Sequence, residues 1–104
     1  MDNKRVEELF KKYPGLTRLT LYGSEGLNAR VISSWVRRES GIENCPPEDS
    51  LSTKYLFDAQ FSTSVYCSTT DADTIEEAMT RIEDRIFTRQ VEARALLGLK
   101  ESGG

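Results

Sequence analysis

The 104-residue chain contains no histidine. That absence removes the commonest general base and metal ligand near neutral pH, and with it every Ser–His or Cys–His nucleophile pair. Positive charge is also in deficit: 14 Lys and Arg face 17 Asp and Glu, a formal net charge of −3. This argues against a generally basic nucleic-acid binder, although a local patch could survive it. Only two cysteines occur, Cys45 and Cys67, without CxxC spacing. A pair of thiols in a reducing cytosol fits them; one disulfide tying the Pro-containing loop to a strand end is the other option. No apolar run approaches the roughly 18 residues of a membrane span, and the first five residues, MDNKR, do not lead into a signal-peptide apolar region. No membrane association is therefore expected. What is present is ordinary for a folded domain. Leu, Ile, Val and Phe total 24 of 104, above the roughly 20% below which chains tend to stay disordered, and the length fits one modest core.

Read in order, the chain opens with a helix. Val6, Leu9, Phe10 and Tyr13 fall at i, i+3, i+4 and i+7 on one face. Asp2 or Asn3 can cap it, Glu7–Lys11 and Glu8–Lys12 have the favourable i,i+4 order, and Pro14-Gly15 ends it. Residues 16 to 22 (LTRLTLY) read as a strand with Leu19 and Leu21 on one face, closed by a turn at 23 to 26 (GSEG). Neither GxGxxG nor GxxxxGK[ST] is present there. Residues 27 to 40 (LNARVISSWVRRES) are ambiguous. Leu27, Val31 and Trp35 stack at helical spacing, whereas the Val, Ile, Ser and Trp content of 31 to 36 favours a strand, and strand is the preferred reading. Residues 40 to 53, with Pro46-Pro47, read as a long loop.

From 55 to 67 the alternation is regular. Tyr55, Phe57, Ala59, Phe61, Val65 and Cys67 share one face with Thr63, while Leu56 and Tyr66 are the only apolar residues on the other. The pattern predicts one long strand with a core face and a polar face. A helix follows. Asp73-Thr-Ile-Glu76 and Thr70-Asp-Ala-Asp73 are both capping-box-like, and Ile75, Ala78, Met79, Ile82 and Ile86 mark its apolar face. Beyond Phe87 the register loosens through Val91, Ala95, Leu96 and Leu99, so a bend or restart near Thr88 is expected.

Candidates for chemistry are few. Asp71, Asp73, Glu76 and Glu77 suit a capped helix start better than a metal cluster. The hydroxyls of residues 62 to 70 have no base to activate them, and Lys54, at a loop–strand junction, is expected to keep an ordinary pKa. No catalytic residue, cofactor or metal is expected, and the chain does not read as an enzyme.

Arg30, Arg37 and Arg38 form a basic patch beside Trp35. Were 26 to 38 helical, the stretch GLNARVISSWVRR resembles the recognition half of a helix-turn-helix regulator. That resemblance implies Asn28, Ala29, Arg30 and Ser33 at base edges, with Arg37 and Arg38 on phosphate. The glycine turn followed by Ile32 and Trp35 carries it, against a poor preceding helix at 17 to 24 and Tyr22 and Glu25 where small apolar residues are usual.

With 28 to 38 as a strand, the order becomes helix, strand, strand, loop, long strand, capped helix. Residues 5 to 86 then resemble the tail-terminator and tail-completion proteins of tailed bacteriophages. The likeness rests on a helix ending in Pro-Gly, the strand TRLTLYG, a strand running out in WVRRES, an acidic Pro-containing loop, and FDAQFSTSVYCSTTDADTIEEAMTRIEDRI. It implies a structural role: a homo-oligomer, commonly a hexameric ring, that meets other phage structural proteins in the virion or the bacterial host cytoplasm. Trp35, Arg37, Arg38, Glu39, Glu43, Glu48 and Asp49 are the candidate interface residues, because charged strand ends and an acidic loop can supply complementary charge around a ring. An inhibitor acting through an acidic surface is a third possibility without a motif of its own. The expected fold is α+β: a small, mostly antiparallel β-sheet packed on one side by an N-terminal helix and a longer C-terminal helix. Residues 1–99 would form the domain and 100–104 a flexible tail.

Overall fold

Local pattern becomes architecture through pairing. The computed structural model describes residues 3–25, 28–46, 52–62 and 66–101. Helix α1 (Asn3–Lys12) leads into β1 (Leu16–Glu25), β2 (Asn28–Arg38), β3 (Gly41–Cys45), β4 (Lys54–Phe61), β5 (Tyr66–Ser68) and helix α2 (Ile75–Glu101). The strands form one antiparallel sheet in the order β3-β2-β1-β4-β5. The α+β class and the one-sided helical cover are as expected.

Both helices lie on the same face. Val6, Leu9, Phe10 and Tyr13 of α1 and Ala78, Met79, Ile82 and Ile86 of α2 share one core with Leu19, Leu21, Trp35, Phe57, Ala59, Phe61 and Cys67 of the sheet. Irregularities in pairing widen this core. Leu16 pairs with Phe61 and Arg18 with Gln60, so Thr17 is an extra residue that lets Leu16 face inward as Leu19 and Leu21 do. A second shift makes Ile32 the extra residue in β2 and packs it against the core. Gly23 allows this close approach: a Cβ there would lie 2.5 Å from Ile32 Cδ1 and closer still to Ser52 Oγ.

The helix ends are tied to the sheet and to each other. Arg5 of α1 reaches Glu83, Thr80 and Glu76, and Lys12 sits over the rings of Tyr13 and Phe87, so the two helices run side by side in the same direction. At the start of α2, Thr74 Oγ1 accepts the Glu77 N–H at 3.1 Å while the Glu77 carboxylate accepts the Asp73 N–H. The cap is therefore Thr74, one residue past Asp73, the cap of the second capping box read from sequence.

Several expectations are corrected. The turn at 23 to 26 is narrower, since Gly23, Ser24 and Glu25 belong to β1 and Glu25 already pairs with Asn28. The loop at 40 to 53 begins with a strand: β3 pairs along β2 from Arg38–Gly41 to Ser34–Cys45. Gly41, at φ 137°, takes a conformation open to glycine and strained for other residues. The long strand at 55 to 67 is a hairpin of two strands. Odd residues pair with odd across β4 and β5 (Ala59 with Cys67), so the alternation passes through the reversal without a break. Helix α2 runs from Ile75 to Glu101 as one element, with no restart at Thr88. Backbone pairing with distant strands, not local propensity, decides the strand bounds.

Candidate interaction surface

The expected interface residues do not converge. Trp35 is 3% exposed and packs on Phe57, ring centroids 6.3 Å apart. Arg37 is an internal staple. Its Nε donates to Leu16 O at 2.9 Å, its Nη2 donates to the carbonyls of Phe10 and Tyr13, and its guanidinium lies 5.2 Å from the Phe10 ring. A cation on the last carbonyls of α1 satisfies groups that the helix leaves unpaired and complements its dipole. Arg38 and Glu43 pair with each other across β2 and β3 at 2.9 Å, which removes both as free complementary charges. The Arg38 hydrogen bond, followed by one from the Cys45 thiol, holds the Glu43 carboxyl below the usual carboxylate range. Glu39 is exposed in the β2–β3 turn, whereas Glu48 and Asp49 lie outside the described residues.

The helix-turn-helix resemblance loses its structural premise, because residues 28–38 are strand β2, paired with β1 between Asn28 and Val36 and with β3 from Ser34 to Arg38. Extension places Arg30 about 20 Å from Arg37 rather than two helical turns away. Asn28, Ala29 and Arg30 are exposed at the start of β2, and Ser33 is buried, its Oγ accepting from Asn44 Nδ2 at 2.8 Å.

The acidic residues near α2 also disperse. Asp73 pairs with Lys54, Glu77 with Arg81 at 2.7 Å, and Glu76 with Arg5 at 3.4 Å. Arg81 further donates to Thr70 Oγ1 and Asp71 O, fixing the corner between β5 and α2. Among the described residues no group of three His, Cys, Asp or Glu is placed to hold a metal ion, and no helix is long and apolar enough to cross a membrane. Lys54 does not keep its ordinary pKa: the hydrogen bond from its ammonium to Asp73 raises it and lowers that of Asp73. Cys45 is exposed on the β3 edge strand and Cys67 buried on the β5 edge strand. Four strand spacings separate those strands, about 19 Å, so the two thiols cannot bond within one chain.

What the fold brings together is the sheet face without helices. The pairing registers run Tyr66–Gln60–Arg18–Val36–Glu43 straight across it, with Ser68–Asp58–Thr20–Ser34–Cys45 as the next row and Leu56–Tyr22–Val31 beyond. Arg18, Thr20, Tyr22, Asp58, Gln60 and Tyr66 line a shallow depression of about 290 Å³. Tyr66 is 66% exposed and Val31 41%. The Asp58 carboxylate accepts from Ser68, and Arg18 forms no ion pair among the described residues. No family model, curated protein or solved structure matches the chain. The surface must therefore be read from its own chemistry.

Sequence reasoning passed over Arg18, Tyr22 and Tyr66. Tyr66 did leave a signal: with Leu56 it is one of two apolar residues on the otherwise polar face of the 55–67 alternation.

Proposed function

We propose that the chain is a non-enzymatic assembly protein, a ring-forming component of a phage tail or head–tail junction that acts through subunit interfaces. The observation that carries this reading is a five-stranded sheet with both helices on one face, whose other face presents Tyr22, Tyr66, Val31, Val36 and Leu56 among polar groups. Exposed tyrosine and arginine are enriched at interface centres, and β3 and β5 have no further strand partner among the described residues. The element order that resembles tail-terminator and tail-completion proteins is the support for the phage setting. In this reading the partners are further copies of the chain and other phage structural proteins, in the virion or the host cytoplasm, and no turnover is involved.

Light scattering across a concentration series, with negative-stain imaging of the same samples, tests the reading. Self-association into closed rings is expected. A monomer at all concentrations, with no ring formed on isolated tail tubes, overturns it.

A further inference from the structure

Among the described residues the most exposed large apolar side chain is Tyr66, at 66%. It opens β5, the last strand of the sheet, which is paired only on its β4 side. The Thr69 N–H donates to Phe57 O at 3.0 Å and sets the phase of that ladder. Backbone groups of Thr69 and Cys67 therefore point toward β4, and those of Ser68 and Tyr66 point outward. Among the described residues no backbone group bonds to this outer edge, which makes it a template for one more strand.

Helix α2 overhangs the same edge. Ser68, Thr69, Thr70, Arg81, Asp84 and Arg85 border a hollow of about 370 Å³ between β5 and the helix. Arg81 is already held by Glu77, Thr70 and Asp71 O. Arg85, exposed, forms no ion pair among the described residues. Burial pushes the Cys67 thiol up, and the positive charges of Arg85 and Arg89 oppose that shift, which places both near the helix side of β5. Asp84 makes the hollow bipolar. A nucleic-acid backbone, one anion after another, would meet its carboxylate. A polypeptide with a single carboxylate among hydroxyl groups suits it better, because a hydroxyl can donate to Asp84. On the other edge strand, β3, Glu43 is already paired with Arg38.

We propose that the outer edge of β5 binds an extended acidic segment of a partner protein, added antiparallel as a further strand with one carboxylate on Arg85. The inference does not depend on ring assembly. Strand alternation sets the pattern of the segment. Its residues opposite Ser68 and Tyr66 share the helix-free face, where apolar side chains cover the exposed Tyr66 ring. The residue between them, opposite Cys67, points to the helix side and carries the carboxylate that meets Arg85. Serine or threonine next along that side faces Asp84 and the hydroxyls of Thr69 and Thr70. Main-chain bonds supply affinity and the carboxylate supplies selectivity, so the segment reads apolar–acidic–apolar within a hydroxyl-rich strand.

Calorimetric titration of the full chain with a short, end-blocked peptide tests the contact. The peptide carries valine–glutamate–valine at its centre, with serine and threonine on both sides. Saturable binding is expected, with amide shifts in NMR spectra confined to β5 and the facing turns of α2. Replacing the glutamate by glutamine, or N-methylating both valines, is expected to weaken binding at least tenfold, the first through charge and the second through the ladder. Arg85→Glu is an exposed substitution whose folding circular dichroism checks. It is expected to weaken binding of the glutamate peptide at least tenfold and to take a lysine-centred peptide in its place. Any of three results overturns the proposal: no binding of the glutamate peptide at millimolar concentration, indifference to N-methylation, or failure of the charge swap. Shifts centred on Arg18 and Tyr22 overturn it too, as does dispersal of self-associated protein by the peptide, since another copy would then hold the edge. Light scattering without peptide reads ring assembly separately, so monomeric protein that binds the peptide overturns only the assembly reading.

Discussion

The two faces of the sheet are built from the same strands, residue by alternate residue, and differ in almost everything that packing can confer. On the covered face, Leu19, Leu21, Trp35, Phe57 and Ala59 are each at most 3% exposed, and the polar groups are tied down: Arg37 on three carbonyls, Ser33 on Asn44. On the open face aromatic groups stand among charges, and Tyr66 keeps two thirds of its surface in solvent. One face spends its side chains on holding the monomer together. The other contributes little to the monomer, which is why its composition is informative about partners.

The largest expected effect breaks this contrast directly. Phe57→Ala should destabilise the monomer by about 3–5 kcal/mol in chemical denaturation, through lost burial and the cavity left behind. Tyr66→Ser on the same sheet should stay within about 0.5 kcal/mol while altering association. Equal losses at the two positions would mean that the faces are not different in kind. Next is Arg37→Ala, expected to cost about 2 kcal/mol because three carbonyls lose a charged donor. Arg37→Lys should recover little of it, since an ammonium cannot reproduce the fork or the stacking on Phe10. Thr74→Ala should cost about 1 kcal/mol through loss of the α2 cap.

The smallest effect is electrostatic and belongs to the exposed surface. Asp73 and Glu43 have lowered pKa values, through hydrogen bonds from Lys54 and Arg38 respectively. Their stabilisation is in place above the ordinary carboxylate range and is lost as pH falls through it, from about pH 5 downward. Lys54, raised by Asp73, acts in the opposite sense: its contribution holds below the ordinary lysine value and is lost as pH climbs past it. Melting temperature followed from pH 7 to pH 2 should fall slightly less in Asp73→Asn than in the parent chain. An identical acid limb would assign no stability to the Lys54–Asp73 pair.

Most of the covered face was legible in the sequence, because burial imposes a period. The α1 stripe, Leu19 and Leu21, the odd residues from 57 to 61, and the 75–86 stripe all reached the core as their spacing required. Reversals were less legible. The β4–β5 hairpin keeps odd residues paired with odd, so nothing in the alternation marks the turn. Strand β3 is short and mostly exposed, with only Ile42 packing against the core, so it carried almost no periodic signal. What the candidate interface residues already bind within the chain was not legible. Charge along a sequence says nothing about whether another part of the chain already neutralises it. Arg37 and the Arg38–Glu43 pair are satisfied within the fold, while Arg18 forms no ion pair among the described residues.

By itself the sequence determined the α+β class, the two helices and the side chains that fill the core, since those follow from hydrophobic period and helix punctuation within short windows. Only the tertiary structure decided that residues 28–38 pair as a strand and where the chain reverses. It also decided which charges are already paired, and that Tyr66 stands on the helix-free sheet face while Phe87 belongs to the helical layer. Those outcomes depend on residues far apart in the chain coming together, and no local window contains both members of such a pair.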